Sequence, residues 1–247
     1  MRKLILLALF AVPSWSSIAV VAHNKQSCVG GPCTTGNLVV DSTGATLIIA
    51  TLNTASGSDC NTNPTLTDSR GNTWVKGTSS INSTCTVQWR AYNHAGSALS
   101  VGSGHTFSVT GNFISFSILV LSGTQTGATD PLNKEGAGTS TAGGTSLAAS
   151  SILCDNPNSI VVTTMSAHKE STGGYSADSG FTVSDWVSFV GGNTAGLGTA
   201  YLLQSGSPAT VTPTWSGLNS ASNISTTIAC YNGATATASK VARRVID

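Results

Sequence analysis

Residues 86–93 read TVQWRAYN, and they alternate. Val87, Trp89 and Ala91 fall on one side of an extended chain; Gln88, Arg90 and Tyr92 fall on the other. That period of two is what a strand imposes. Residues 105–110, HTFSVT, repeat the pattern, with His105, Phe107 and Val109 opposite Thr106, Ser108 and Thr110. LIIA (47–50) and ILVL (118–121) are apolar without a break, which predicts central strands covered on both faces. No segment keeps a 3.6-residue apolar period over three turns; TSLAASSILC (145–154) comes nearest. Short runs rich in β-branched and aromatic residues, separated by Gly, Asn, Ser and Pro, continue to the C-terminal region. The expectation is an all-β protein, a two-sheet antiparallel β-sandwich of jelly-roll-like form.

The order of segments also repeats. The first half runs ATLIIATLN, TDSRGNTW, WRAYN, GHTFSVTG, ISFSILVLSG. The second runs NSIVVTTMS, ADSGFTVSD, TAYLLQS, ATVTPTWSG, ISTTIACYNG. Two similar halves of about five strands, facing each other, would make a ten-strand sandwich, with the Gly- and Thr-rich residues 124–146 as the crossover. The alternative is that sandwich sequences in general resemble one another this closely. Within the repeat, TDSRGNTW (67–74) reads as a turn: Asp68 and Ser69 bond the backbone, Gly71 takes a positive φ, and Trp74 anchors the packing. Asp178, Gly180 and Phe181 take the same places in the second half.

The N-terminus reads as a secretion signal over 1–17. MRK is basic, LILLALFAV is an apolar core, and PSWSS offers Ser14 and Ser16 for a cleavage site. A second possible cut follows Ala22. A membrane anchor is the competing reading, but the apolar run breaks at Pro13, short of the ~20 residues that span a bilayer. The mature chain is thus expected to carry no membrane span, with a sandwich domain over 18–235 and a tail over 236–247. Only 9% of residues are charged and the net charge is +1, so nothing in the charge favours nucleic acid. Six cysteines after a signal predict disulfides, and the pairings favoured are Cys28–Cys33, Cys60–Cys85 and Cys154–Cys230. Zinc is a poor alternative, since no Cys-x-x-Cys occurs.

DSRGNTW (68–74), WRAYN with GSGHTFSVTG (89–93, 102–111), LSG followed by DP (121–123, 130–131), and DSGFT, GTAYLLQS and PTWS in the second half carry a resemblance. Over residues 18–233 the chain resembles β-sandwich modules, mostly of unassigned function, that recur in secreted bacterial proteins and phage virion proteins. The resemblance implies a jelly-roll-like sandwich in a surface or particle context and no catalytic residue. The cysteines are not part of it.

Chemistry is sparse. There is no Gly-x-Ser-x-Gly elbow for a serine hydrolase. A glycosidase wants two carboxylates about the sugar bond, yet Glu135 and Glu170 are the only glutamates and both lie in loop-like stretches. Asp59, Asn61 and Asn63 alternate as calcium ligands would, without the rest of an EF-hand. If cleavage follows Ala22, His23 becomes an amino-terminal copper ligand, with His94, His105 or His168 to complete the site. Trp186 and Tyr175 are the candidate exposed aromatics for stacking on a sugar, and Arg90 and Tyr92 the candidates on a concave strand face. Trp74, Trp89 and Trp215 read as core. The functional expectation is a non-catalytic module of structure or adhesion at a cell or particle surface. It would bind a glycan or cell-surface polymer, or itself, and need no cofactor, structural calcium aside. The alternative is a carbohydrate-active enzyme on a sandwich.

Overall fold

The computed structural model describes residues 17–235 except 29–32, 55–59, 61–63, 83, 95, 128, 169–173, 188–194 and 219–222. The first half holds β1 (Ala19–Ser27), β2 (Cys33–Val40), β3 (Leu47–Thr54), β4 (Thr65–Asp68), β5 (Val75–Asn82), β6 (Thr84–Tyr92), β7 (His105–Phe113) and β8 (Ser115–Ser122). The second holds β9 (Leu132–Glu135), β10 (Thr139–Thr141), β11 (Leu147–Ala148), β12 (Ile152–Leu153), β13 (Ser159–His168), β14 (Ser176–Ala177), β15 (Thr182–Val187), β16 (Ala195–Gln204), β17 (Thr210–Val211), β18 (Thr214–Ser216) and β19 (Asn223–Asn232). The protein is an all-β antiparallel sandwich, as expected, with no helix long and apolar enough to cross a membrane among the described residues.

Each half contributes one large sheet. The first has the order β1-β8-β3-β6-β5, the second β10-β19-β13-β16-β15, with β9 also on β19. Taken in chain order these are the same sequence of neighbours, so the repeat seen in the residues is a repeat of topology. A tight turn closed on an Asp carbonyl precedes both β5 and β15, but of different type, since in the second both central residues, Ser179 (φ 59°) and Gly180, have positive φ. Gly71 (φ 69°) donates its N–H to Asp68 O at 3.2 Å, and Phe181 donates to Asp178 O at 3.2 Å beside Gly180 (φ 80°).

The two large sheets face one another, and each is backed by a smaller layer that the alternation did not reveal. In the first half this is β2-β7-β4; in the second it is β11-β18-β14 and β12-β17. The chain therefore has three interlayer cores. Ile48, Ala50, Leu52, Phe107, Phe113 and Phe116 pack between the first half's layers. Val161, Met165, Trp215 and Ile228 do so in the second. Leu47, Ile49, Leu119, Leu121, Ile160 and Tyr231 lie between the halves. LIIA and ILVL are covered on both faces because each central strand serves two of these cores.

The interface between the halves is apolar at one end and hydroxyl-rich at the other. Thr51, Ser117 and Thr199 form a closed triangle of hydroxyls with sides of 2.7, 2.7 and 2.8 Å. Asn53 accepts from Ser115 N and Oγ at 2.8 and 2.7 Å and donates to Gly196 O at 3.0 Å. Thr86, Thr164 and Thr227 continue the chain of bonds. All are buried. Such groups are tolerated inside because each finds a partner, some within a half and some across the gap; an unmet one costs roughly 1–3 kcal/mol.

Two expected disulfides are present. Cys60–Cys85 ties the approach to β4 onto β6, and Cys154–Cys230 ties the end of β12 to β19. Cys28 is also disulfide-bonded; the side chain of Cys33, its expected partner, lies outside the described residues, as do residues 1–16 and the tail 236–247.

Candidate functional site

In the first half, β1-β8-β3-β6 and β2-β7-β4 follow the neighbours of an eight-strand jelly roll, but β5 departs. It pairs with β6 in the large sheet rather than extending the small one beside β4. Among the described residues β4 thus keeps a free edge, with a gap between it and the β5–β6 pair of the large sheet. The gap is an open cleft of about 500 Å³, floored and walled by Thr65, Asp68, Asn72, Trp74, Lys76 and Trp89, with Cys60 at one side. Trp74 and Trp89 are both partly exposed and rest on the first-half core.

TDSRGNTW builds the near wall. Asp68 Oδ1 accepts from Arg70 N at 2.8 Å and from Asn72 N and Nδ2 at 3.3 Å, closing the turn. Asp68 Oδ2 accepts from Trp74 Nε1 at 2.8 Å, which fixes the indole against the cleft. Trp74 also stands edge-on to Phe107, centroids 6.0 Å apart. Asn72 bonds Ser100 twice, through Nδ2 to its O and Oδ1 from its N, and so pins the loop before β7. Burial pushes the Asp68 carboxyl up, but His105, the Arg70 and Asn72 N–H groups and the Trp74 indole together hold it below its ordinary value. The residue expected to serve only the turn therefore also orients a wall of the cleft.

The far wall comes from the strand pair. Lys76 on β5 is directly opposite Trp89 on β6. The Lys76 ammonium lies 5.8 Å from the centroid of the Trp89 ring and donates to Cys60 O. Burial lowers its pKa, and no carboxylate among the described residues pairs with it. The Trp89 indole N–H is enclosed without a partner among the described residues. At the matching place in the second half Val183 is opposite Ala200, and both pack into that half's core. One half has filled the gap with apolar side chains and the other has furnished it with indoles and a cation.

Behind this wall Ser42, His105 and Asp68 line up. Ser42 Oγ is 2.8 Å from His105 Nδ1, and His105 Nε2 is 3.0 Å from Asp68 Oδ1, at an angle poor for a hydrogen bond. The trio has the residue types of a hydrolase triad with the ring reversed, since a triad carboxylate holds Nδ1 and the base works through Nε2. All three side chains are fully enclosed, and Ser42 Oγ already accepts from Gly102 N at 3.0 Å. No substrate reaches that hydroxyl. The trio fastens the loop after β2 to β7 and to the turn after β4.

The residues singled out from sequence fall elsewhere. Arg90 and Tyr92 do not line a concave face: both are buried between the halves. Arg90 makes a forked pair with Asp130 (2.7–3.0 Å) and reaches Glu135 at 3.1 Å. Alternation assigned their face correctly, but that face meets a second sheet. Trp186 is 39% exposed. Lys25 sits 5.1 Å over its ring and donates to its backbone carbonyl. Tyr175 is buried and edge-on to Trp186 at 6.2 Å, so the two form a packed pair and not an open platform. His23 lies inside β1, opposite Leu119, with Nδ1 3.2 Å from Asp185 Oδ1. His105 lies on the other side of that sheet, and no cluster of three or more metal-ligating residues occurs among the described residues. Asp59, Asn61 and Asn63, the calcium candidates, lie outside the described residues.

Trp74, Trp89 and Lys76 were missed as site residues because both indoles share strand faces with apolar neighbours. The available signal was Lys76. A lysine two residues from Trp74 on the same strand face marks that face as incompletely closed, since a sealed core would demand a partner for the charge. No protein-family model, curated protein or solved structure matches this chain.

Proposed function

We propose that the protein is a secreted or particle-surface carbohydrate-binding module, acting in adhesion, with the cleft between β4 and β5 as its site. The observation that carries this reading is the pair of partly exposed indoles, Trp74 and Trp89, beside an open cleft, the first held in place by Asp68. Sugars are bound by stacking their C–H faces on such rings with polar groups at the margin. Of the other described tryptophans, Trp215 is fully buried, and Trp186, though 39% exposed, lies outside the cleft with Lys25 over its ring. The disulfides favour an oxidising compartment. The low charge and Ser/Thr-rich surface accord with the surface or particle setting of the modules the sequence resembles. A non-catalytic role is favoured because the hydroxyl–imidazole–carboxylate trio is sealed. A glycan array probed with the full chain and with Trp89→Ala tests the reading. Binding by the parent that is lost in the folded variant is expected; binding that survives in Trp89→Ala, or is lost only in Trp186→Ala, overturns it.

A further inference from the structure

We propose that the cleft selects acidic sugars, rings bearing a carboxylate or a sulfate, and that Lys76 receives the anion. The inference rests on the carbohydrate reading and adds the chemical class of the ligand.

Three observations converge. The acid that lines the cleft is unavailable. The Asp68 side chain is fully enclosed, and its oxygens are taken by Trp74 Nε1, Arg70 N and both nitrogens of Asn72. The Asn72 amide, the other polar group of that wall, is spent on Ser100 and Asp68. Lys76 is then the charged group left to the cleft among the described residues. It has no carboxylate partner among the described residues and is held over Trp89 by its bond to Cys60 O. An ammonium has three donors, and one is spent here. An anionic substituent on a ring stacked against Trp89 would meet the remaining donors at the edge of the indole, where water is already partly excluded and the charge–charge term is strong. The second half supplies the contrast within one molecule. Val183 and Ala200 stand at the matching positions, so no charge or indole faces that place.

The test is calorimetric titration of the full chain with three oligosaccharides of equal length. One is a hexuronate oligomer, one is the same oligomer with its carboxyls reduced to neutral hexose, and one is a sulfated oligomer. The hexuronate or the sulfated oligomer is expected to bind about tenfold or more tighter than the neutral one, as a charge-assisted hydrogen bond would give. The preference should weaken as salt is raised. Lys76→Met should abolish the difference in affinity between the acidic and the neutral oligomers, and Lys76→Arg should keep it; thermal melts confirm that both variants fold. Which acidic oligomer wins separates carboxylate from sulfate. Equal or tighter binding of the neutral oligomer, or a preference that survives in Lys76→Met, overturns the inference and leaves the cleft reading standing. Binding to none of the three overturns both.

Discussion

Asp68→Asn is the most informative single change in the protein. The carboxylate has two jobs on two oxygens: Oδ1 closes the turn through Arg70 and Asn72, and Oδ2 holds the Trp74 indole. Asparagine can keep one oxygen. If that oxygen stays on the turn, the new NH₂ faces Trp74 Nε1, donor against donor. One charge-assisted bond is lost and an indole N–H is left unmet, for about 2–3 kcal/mol. The pH dependence fixes the sign. The folded-state pKa of Asp68 is depressed, so its contribution is present above the unfolded carboxylate value and is lost as pH falls through the folded one. The gap in unfolding free energy between parent and variant should be full at neutral pH and shrink in strong acid. Urea unfolding at neutral pH and near pH 3 measures it. The freed indole should also weaken glycan binding in a variant that still folds. A gap below about 0.5 kcal/mol at neutral pH, the size of an ordinary surface substitution, would refute the clamp, as would a gap that does not change with pH.

Other outcomes follow from the same structure. Gly198→Ala places a Cβ 2.6 Å from Trp215 Cζ3 in the second-half core; overpacking there should cost about 1–3 kcal/mol in a urea melt. The disulfides should rank by loop. Opening Cys154–Cys230, 76 residues apart, should cost about 4.5 kcal/mol against about 3.5 for Cys60–Cys85 at 25 apart, both by the chain-entropy relation. Between the halves, Asn53→Leu strands the Ser115 hydroxyl and N–H and the Gly196 carbonyl, and should cost about 3 kcal/mol or more. Thr199→Val leaves Thr51 and Ser117 still bonded to each other, so it should cost only about 1 kcal/mol; equal losses would mean that the network is not organised as described.

Strand identity and the internal repeat were legible because alternation and unbroken apolar runs are local. The second half's outer layer was not, since β11, β12, β14 and β17 have two residues each, too few to show a period. Alternation also says which residues share a face but not what the face meets. Arg90 and Tyr92 read as candidates on an open strand face, yet that face meets the other half, where Asp130 and Glu135 take Arg90 and where Val162 O and Thr227 take the neighbouring Gln88. The same ambiguity hid the site. Trp74 and Trp89 rest on core residues, and what leaves the cleft beside them is the set of side chains at one strand pair, Lys76 and Trp89 where the second half has Val183 and Ala200, which strand pattern alone does not distinguish from a closed core.

The central claim is that the indole cleft of the first half binds sugar. The direct test follows the tryptophan side-chain N–H signals of ¹⁵N-labelled full-length protein as a glycan identified on the array is added. The account predicts that the Trp89 and Trp74 resonances move together and saturate, while those of Trp186 and Trp215 stay in place. Movement of Trp186 alone, or saturable binding that shifts neither cleft indole, would contradict it.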